Sequence, residues 1–402
     1  MTSNTMKLAN RLKSAKPSPT LALNAKAKAL AAKGADVVSF AAGEPDFDTP
    51  AHIKDAIKAS LDAGFTKYTA TGGIPELKAA IVDKLKAENR LDYTPEQILV
   101  SVGAKHSLYN IFQALLSPGD EVIIFSPYWV SYPDMVRLAD GEPVIVETSA
   151  HTNWAPDPAQ LRKALTPRTR AVILNSPSNP TGGVYSKQTL LDIADAVRGH
   201  DCLLVSDDIY ERLLYVEGGF QNIANIAPDL APRTVVVNGF SKAYAMTGLR
   251  LGYAAGPREL IAGMQMVQDQ STSNATSVIQ KAAVTALKGP QEPLFAMVKE
   301  YAKRREVMAD GLSRIPGVKC PRPDGAFYCF ADIGELIGKT YKGQTLTGSM
   351  RVSEVLLEDF LLAAVPGEPF GADGYLRFSF ATSQAIIEKG LARLADFASK
   401  VS

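Results

Sequence analysis

The feature that most limits the fold is an alternation that starts near residue 50 and runs past residue 250. Short, nearly all-apolar runs ("ILVSV", "EVIIFSP", "PVIVET", "RAVILNS", "CLLVSDD", "TVVVNGF") are separated by stretches whose apolar residues recur at helical spacing. In "GIPELKAAIVDKLKAEN" Ile74, Leu77, Ile81 and Leu85 share one helical face, and in "HSLYNIFQALL" Leu108, Ile111, Phe112 and Leu115 do the same. Strands that are apolar on both sides must be covered on both sides, and helices between successive strands supply that cover. The pattern predicts an α/β fold with a mainly parallel sheet. In such sheets ligands sit beyond the carboxyl ends of the strands.

From about residue 290 the pattern changes. A long charged helix, "PLFAMVKEYAKRREVMADGLSRI", leads into "GAFYCFADI", a helical stretch near 350–363 and "YLRFSFA". This reads as a smaller α+β domain completed by the N-terminal forty-odd residues. The expected division is 1–47 for the N-terminal arm and part of the small domain, 48–289 for the large domain and 290–402 for the small C-terminal domain. A chain of 402 residues is long enough for two or three domains. It buries enough surface to fold without disulfides or a structural metal.

Charge and cysteine usage exclude several classes. With 43 basic and 42 acidic side chains, nothing favours nucleic acid or a membrane surface. Cys202, Cys320 and Cys329 lack C-x-x-C spacing, and the four histidines are scattered, so neither a disulfide scaffold nor a zinc site is expected. The basic N-terminal segment has no apolar signal-peptide core, and no run is long enough to cross a bilayer. The expectation is a soluble, cytoplasmic protein.

Chemistry-bearing residues gather where strand candidates finish. "ILVSV" runs into Gly103, Ala104 and Lys105 and then a helix, whose free N–H groups suit a phosphate or form an ordinary turn. There is no G-x-G-x-x-G and no P-loop motif. "RAVILNSPSNPTGG" carries Asn179 in a dense loop, and "CLLVSDDIYE" leaves a strand straight into Asp207, Asp208 and Tyr210. Asp208 reads equally well as a helix cap. Asp207, directly after the strand, is the better inward-facing acid. "TVVVNGF" is followed by Lys242, and Arg250 then sits at the head of the strand candidate "LRLGYAAG". Both cations fall in sequence that reads as the middle of a sheet. A lysine in an apolar setting is pushed toward its nucleophilic amine and can form a Schiff base with a carbonyl. An arginine suits a phosphate, and an acid can hold a pyridinium N–H. Together these are the parts of a pyridoxal 5′-phosphate (PLP) site.

The blocks "SPSNPTG", "SDDIYE" and "NGFSKAYAMTGLRLGY" resemble the signatures of class I aminotransferases, of fold type I among PLP enzymes. The likeness continues through "AAGEPDFDTP", "YTATGG", "SVGAKHSLYN", "SPYWVSYPDM", "GAFY" and "LRFSFATS". It is nearest to the bacterial Ib aspartate aminotransferases, some of which also accept prephenate. This resemblance implies a PLP-dependent aspartate:2-oxoglutarate aminotransferase working as a homodimer with shared sites. The rival readings are an alanine or aromatic aminotransferase, a C–S β-lyase, and a PLP-fold regulatory protein.

By the same resemblance Lys242 would carry the cofactor and move the substrate proton. Asp207 would hold the ring nitrogen, Tyr210 and Asn179 the 3-oxygen, and Trp129 would stack on the ring. Gly103, Ala104, Ser241 and Arg250 would bind the phosphate, joined by Tyr68 from the partner subunit. Arg377 would clamp the substrate α-carboxylate with help from the Gly43 backbone. "QDQSTSNATSVIQ" lacks the arginine that reads a distal carboxylate in the Ia subgroup, so Lys105 would take that role. Lys16 stands at the position linked to prephenate. Leu249, Gly239 and Asp208 depart from the family pattern without removing a catalytic group.

Overall fold

A computed structural model describes residues 6–13 and 19–402. Seven of the apolar runs become strands of one sheet: β1 (Ile98–Ser101), β2 (Glu121–Ser126), β3 (Glu142–Glu147), β4 (Thr169–Asn175), β5 (Leu203–Asp207), β6 (Thr234–Gly239) and β7 (Gly252–Ala255). Their order in space is β1-β7-β6-β5-β4-β2-β3. The six strands other than β7 share one direction, and β7 runs antiparallel to both β1 and β6. Every residue of β2 and of β6 is buried, as all-apolar runs between two helix layers require. The edge strand β3 is more open, and Ile145 on it is exposed.

Between β1 and β2 the helix Ala104–Leu115 buries Leu108, Ile111 and Phe112 and leaves its other face wet. It begins at Gly103, whose φ of 87° is a conformation that side chains resist. On β7, Gly252 lies so close that a Cβ there would come within 2.4 Å of the Ala104 nitrogen. Two glycines thus bring a helix start down onto the sheet edge.

The chain beyond Glu292 opens with one long helix, Glu292–Ser313. It continues through β8 (Tyr328–Asp332), the helix Ser349–Phe360, β9 (Val365–Pro366), β10 (Tyr375–Ser379) and the helix Gln384–Ser399. The three strands form an antiparallel sheet in the order β9-β10-β8. Val38–Ser39 from the N-terminal segment pairs in parallel with Leu362–Ala363. One continuous apolar core joins Val100 and Val236 of the large sheet to Tyr328 and Phe378 of the small one. Among the described residues no helix is long and apolar enough to cross a membrane.

Two sequence expectations need correction here. The strand candidate "LRLGYAAG" is a strand only over Gly252–Ala255, and Arg250 before it is left-handed, with φ 52°. Lys242 and Arg250 therefore lie in the connection at the sheet edge, not within the sheet. Asp208 caps no helix, because the chain turns after β5 instead of winding into one. Its carboxylate is buried, accepts from Ser206 Oγ at 2.6 Å and also takes a hydrogen bond from Asn222 Nδ2.

Candidate active site

The carboxyl edge of the large sheet and the three-stranded sheet enclose a cavity of about 410 Å³. Each parallel strand delivers its next residues to this edge. Ala104 and Lys105 follow β1, Trp129 follows β2, Asn179 follows β4, Asp207 and Tyr210 mark the end of β5, and Ser241 and Lys242 follow β6. Because β7 is antiparallel, the edge receives its beginning, and Arg250 arrives there just before it. Gly43 and Arg377 close the opposite wall.

Four cations therefore line the cavity, Lys105, Lys242, Arg250 and Arg377, against two acids, Asp207 and Glu44. Among the described residues none of the four has an ion-pair partner. The cavity is set up for a ligand with net negative charge.

Arg377 is the most informative of the four. It sits mid-strand in β10, 2 % exposed, where a guanidinium needs compensation. Its Nη1 donates to Asn179 Oδ1 at 2.9 Å and its Nη2 to the Ala41 carbonyl at 3.0 Å. Its Nε is buried with no partner. The Tyr328 ring covers the guanidinium at 4.4 Å. Burial pulls this group below its ordinary value. A buried arginine with neutral partners and a free N–H is a receptor for a carboxylate.

Lys242 points its Nζ at the Gly43 carbonyl, with the Tyr210 and Phe327 rings 5.8 and 5.7 Å away. Burial, reinforced by the Arg377 and Arg250 charges against Glu44 and Asp207, brings its amine down from 10.5 to about 8. Such an amine is partly neutral near physiological pH. Asp207 shows the converse. Burial lifts its carboxyl from 3.8 to about 6, against the opposing pull of hydrogen bonds from Tyr132 and the Ile209 backbone and of the Lys242 charge.

Lys105 holds its Nζ 4.7 Å from the Trp129 ring centroid, and burial and then Arg250 lower its amine. Arg250 donates to the Thr247 carbonyl at 2.9 Å, and its guanidinium packs against Gly103, where a Cβ would lie 2.6 Å from Nη2. Tyr210 is buried, with its hydroxyl 2.9 Å from that of Tyr328. Tyr68 is 92 % exposed and lies outside the cavity. Lys16 lies outside the described residues.

Tyr328 and Tyr132 were not singled out by sequence reasoning, yet both line the cavity. Tyr328 belongs to the quoted block "GAFY". Tyr132 comes three residues after Trp129, the spacing that places two side chains on one face of a helical turn.

Residues 35–394 match the aminotransferase class I and II family. The chain belongs to that family. It is 47% identical over 397 residues to the aspartate/prephenate aminotransferase of Nitrosomonas europaea, covering 98% of this chain and 100% of that one. Its fold superposes on the crystal structure of an aspartate aminotransferase from Rhizobium meliloti with a TM-score of 0.95, at 43% identity over 99% of this chain and 100% of that one. The aspartate aminotransferase of Thermus thermophilus, solved with maleate, matches at TM-score 0.91 and 45% identity, covering 98% of this chain and 100% of the other.

Proposed function

We propose that this chain is a PLP-dependent aspartate:2-oxoglutarate aminotransferase, with the cavity at the sheet edge as its active site. The observation that carries this reading is the surplus of unpaired cations around a buried, amine-prone lysine. PLP and a dicarboxylic amino acid together bring a phosphate and two carboxylates, which would use Arg250, Arg377 and Lys105. The residues fit the cofactor. The helix start that Gly103 and Gly252 draw to the edge offers N–H groups beside Arg250 and Ser241 for a phosphate. Asp207, buried at the end of β5, would hold the ring nitrogen, and Tyr210 and Asn179, which line the same cavity, would hold the 3-oxygen. Trp129 supplies an aromatic face.

When bound, PLP supplies the carbonyl that takes up the amino group and the conjugated ring that spreads the electron pair left at Cα. Asp207 would keep the ring nitrogen protonated and so maintain that capacity. Arg377 and the Gly43 backbone would fix the α-carboxylate in the cavity that Lys242 also lines. Lys242 Nζ, as a neutral amine, would take the proton from the substrate Cα and deliver it to the carbon that was the cofactor's carbonyl carbon, and would carry it the other way with the second substrate. Both half-reactions use one site, so the kinetics are ping-pong. We further assign Lys105 to the distal carboxylate, which the maleate in the Thermus structure supports as a dicarboxylate ligand of that relative.

A second substrate, prephenate, draws support from the name of the Nitrosomonas relative. It also draws support from an adjoining cavity of about 690 Å³ that shares Lys105 and Arg250 with the first and has Tyr109 and Tyr128 in its walls. We place the domain limits at 47/48 and 289/290, and the working unit as a homodimer in which Tyr68 reaches the neighbouring site.

Steady-state assays of two variants test the substrate assignment. Arg377→Leu should lower kcat/KM for aspartate, 2-oxoglutarate and alanine alike by roughly two orders of magnitude or more. Lys105→Ala should do so only for the two dicarboxylates. Equal losses on alanine and aspartate in Lys105→Ala would remove Lys105 from the distal-carboxylate role.

A further inference from the structure

Behind the cavity one side chain touches two of the groups assigned to the cofactor ring. Tyr132 lies on the helix Ser131–Leu138 and is 2 % exposed. Its hydroxyl donates to Asp207 Oδ2 at 2.6 Å. Its ring meets Trp129 edge to face, with centroids 5.3 Å apart and planes at 84°. Its own N–H bonds the Trp129 carbonyl at 3.0 Å, so the turn that carries both rings is closed on itself.

We propose that Tyr132 is a positioning residue for the cofactor ring, aiming Asp207 with its hydroxyl and setting the plane of Trp129 with its ring edge. This rests on the reading of Asp207 as the partner of the ring nitrogen. The geometry gives the hydroxyl one sense. Oδ1 of Asp207 already accepts from the Ile209 N–H at 3.3 Å, and the Asp207 carbonyl accepts from Asn175 Nδ2 at 3.0 Å. Each carboxylate oxygen therefore has one donor, the Ile209 N–H on Oδ1 and the Tyr132 hydroxyl on Oδ2, while Asn175 holds the backbone behind them. A hydroxyl donating to a carboxylate stabilises its anionic form, which is the form that accepts a pyridinium N–H. Burial keeps the Tyr132 phenol from ionising, so it stays a donor. Groups facing Asp207 from neighbouring elements are Lys242, Asp208 and Tyr210. Among the described residues none makes a direct hydrogen bond to its carboxylate, which leaves Tyr132 as the only side-chain donor to it.

The test is equilibrium binding to the cofactor-free full-length chain, read by quenching of tryptophan fluorescence. The two ligands are PLP and its 1-deaza analogue, in which carbon replaces the ring nitrogen. Tyr132→Phe keeps the ring edge and removes only the hydroxyl. It should weaken PLP about tenfold or more and leave the deaza analogue at its wild-type affinity. Tyr132→Leu removes the edge as well and should weaken both ligands. Equal weakening of both ligands by Tyr132→Phe, or no weakening at all, would overturn the hydroxyl's role. A Leu variant indistinguishable from Phe would overturn the role toward Trp129. Asp207→Asn serves as the separate control. It should weaken PLP selectively, and if it binds both ligands like wild type, the reading of Asp207 fails and the proposal falls with it.

Discussion

At the residue scale, the site is a set of charges that the fold alone does not neutralise. Lys242 shows what this costs before a ligand arrives. Its amine sits at about 8 in the fold against 10.5 unfolded, so below pH 8 both states carry the proton and the fold bears the whole cost of burying it. Between about 8 and 10.5 the unfolded chain holds the extra proton, so that cost shrinks as pH rises. Lys242→Met should therefore raise the melting temperature of the cofactor-free chain below pH 8, with the gain gone near 10.5. A gain that is the same at every pH would contradict this account. Arg377 follows the same logic, since its guanidinium is buried beside neutral groups and waits for an anion. Stability given up at a binding site in this way is a common trade.

These residues differ in how far sequence alone exposes them. Lys242, Asp207 and Arg250 follow or precede apolar runs, so their arrival at one sheet edge is legible from the pattern. Arg377 is legible only through its block, because an arginine in a strand also reads as solvated. Tyr328 and Tyr132 were missed because what singles them out is tertiary. One caps Arg377 and the other holds Asp207, across gaps of 49 and 75 positions in the chain. Asp208 misleads in the other direction, since an acid after a strand suits a cap, but its donors come from Ser206 and the distant Asn222.

At the scale of elements, the site depends on how closely a helix start can approach β7. Gly252 permits that approach, because a Cβ there would collide with the Ala104 nitrogen at 2.4 Å and the Gly103 carbonyl carbon at 2.7 Å. Both are backbone atoms, which cannot swing aside. Gly252→Ala should displace the helix start and weaken PLP binding by about tenfold or more, with the loss shared by inorganic phosphate as a competitor. Unchanged affinity for both would mean that the helix start does not hold the phosphate. The apolar strands and their helices were readable from periodicity, whereas the reversal of β7 was not. "GYAAG" carries no mark of direction, and only the pairing with β1 and β6 reveals that its first residue faces the ligand edge.

At the scale of the whole molecule, a single core links the large sheet to the three-stranded sheet, and the cavity lies where they meet. Tyr68 remains outside that cavity and almost fully exposed. In the proposed shared-site dimer it would reach the neighbouring site from there. Sedimentation should accordingly give twice the chain mass of 43.1 kDa at micromolar concentration. A monomer with full activity would rule out the shared site.

The central claim is that one buried amine moves the proton for a transamination of aspartate. The most direct measurement is oxaloacetate formation from L-aspartate and 2-oxoglutarate by the PLP-loaded chain, compared with Lys242→Ala loaded in the same way. The wild-type chain should turn over continuously, and the variant should be slower by roughly four orders of magnitude or more while keeping its fold. Transamination by Lys242→Ala at a rate near wild type would contradict the account.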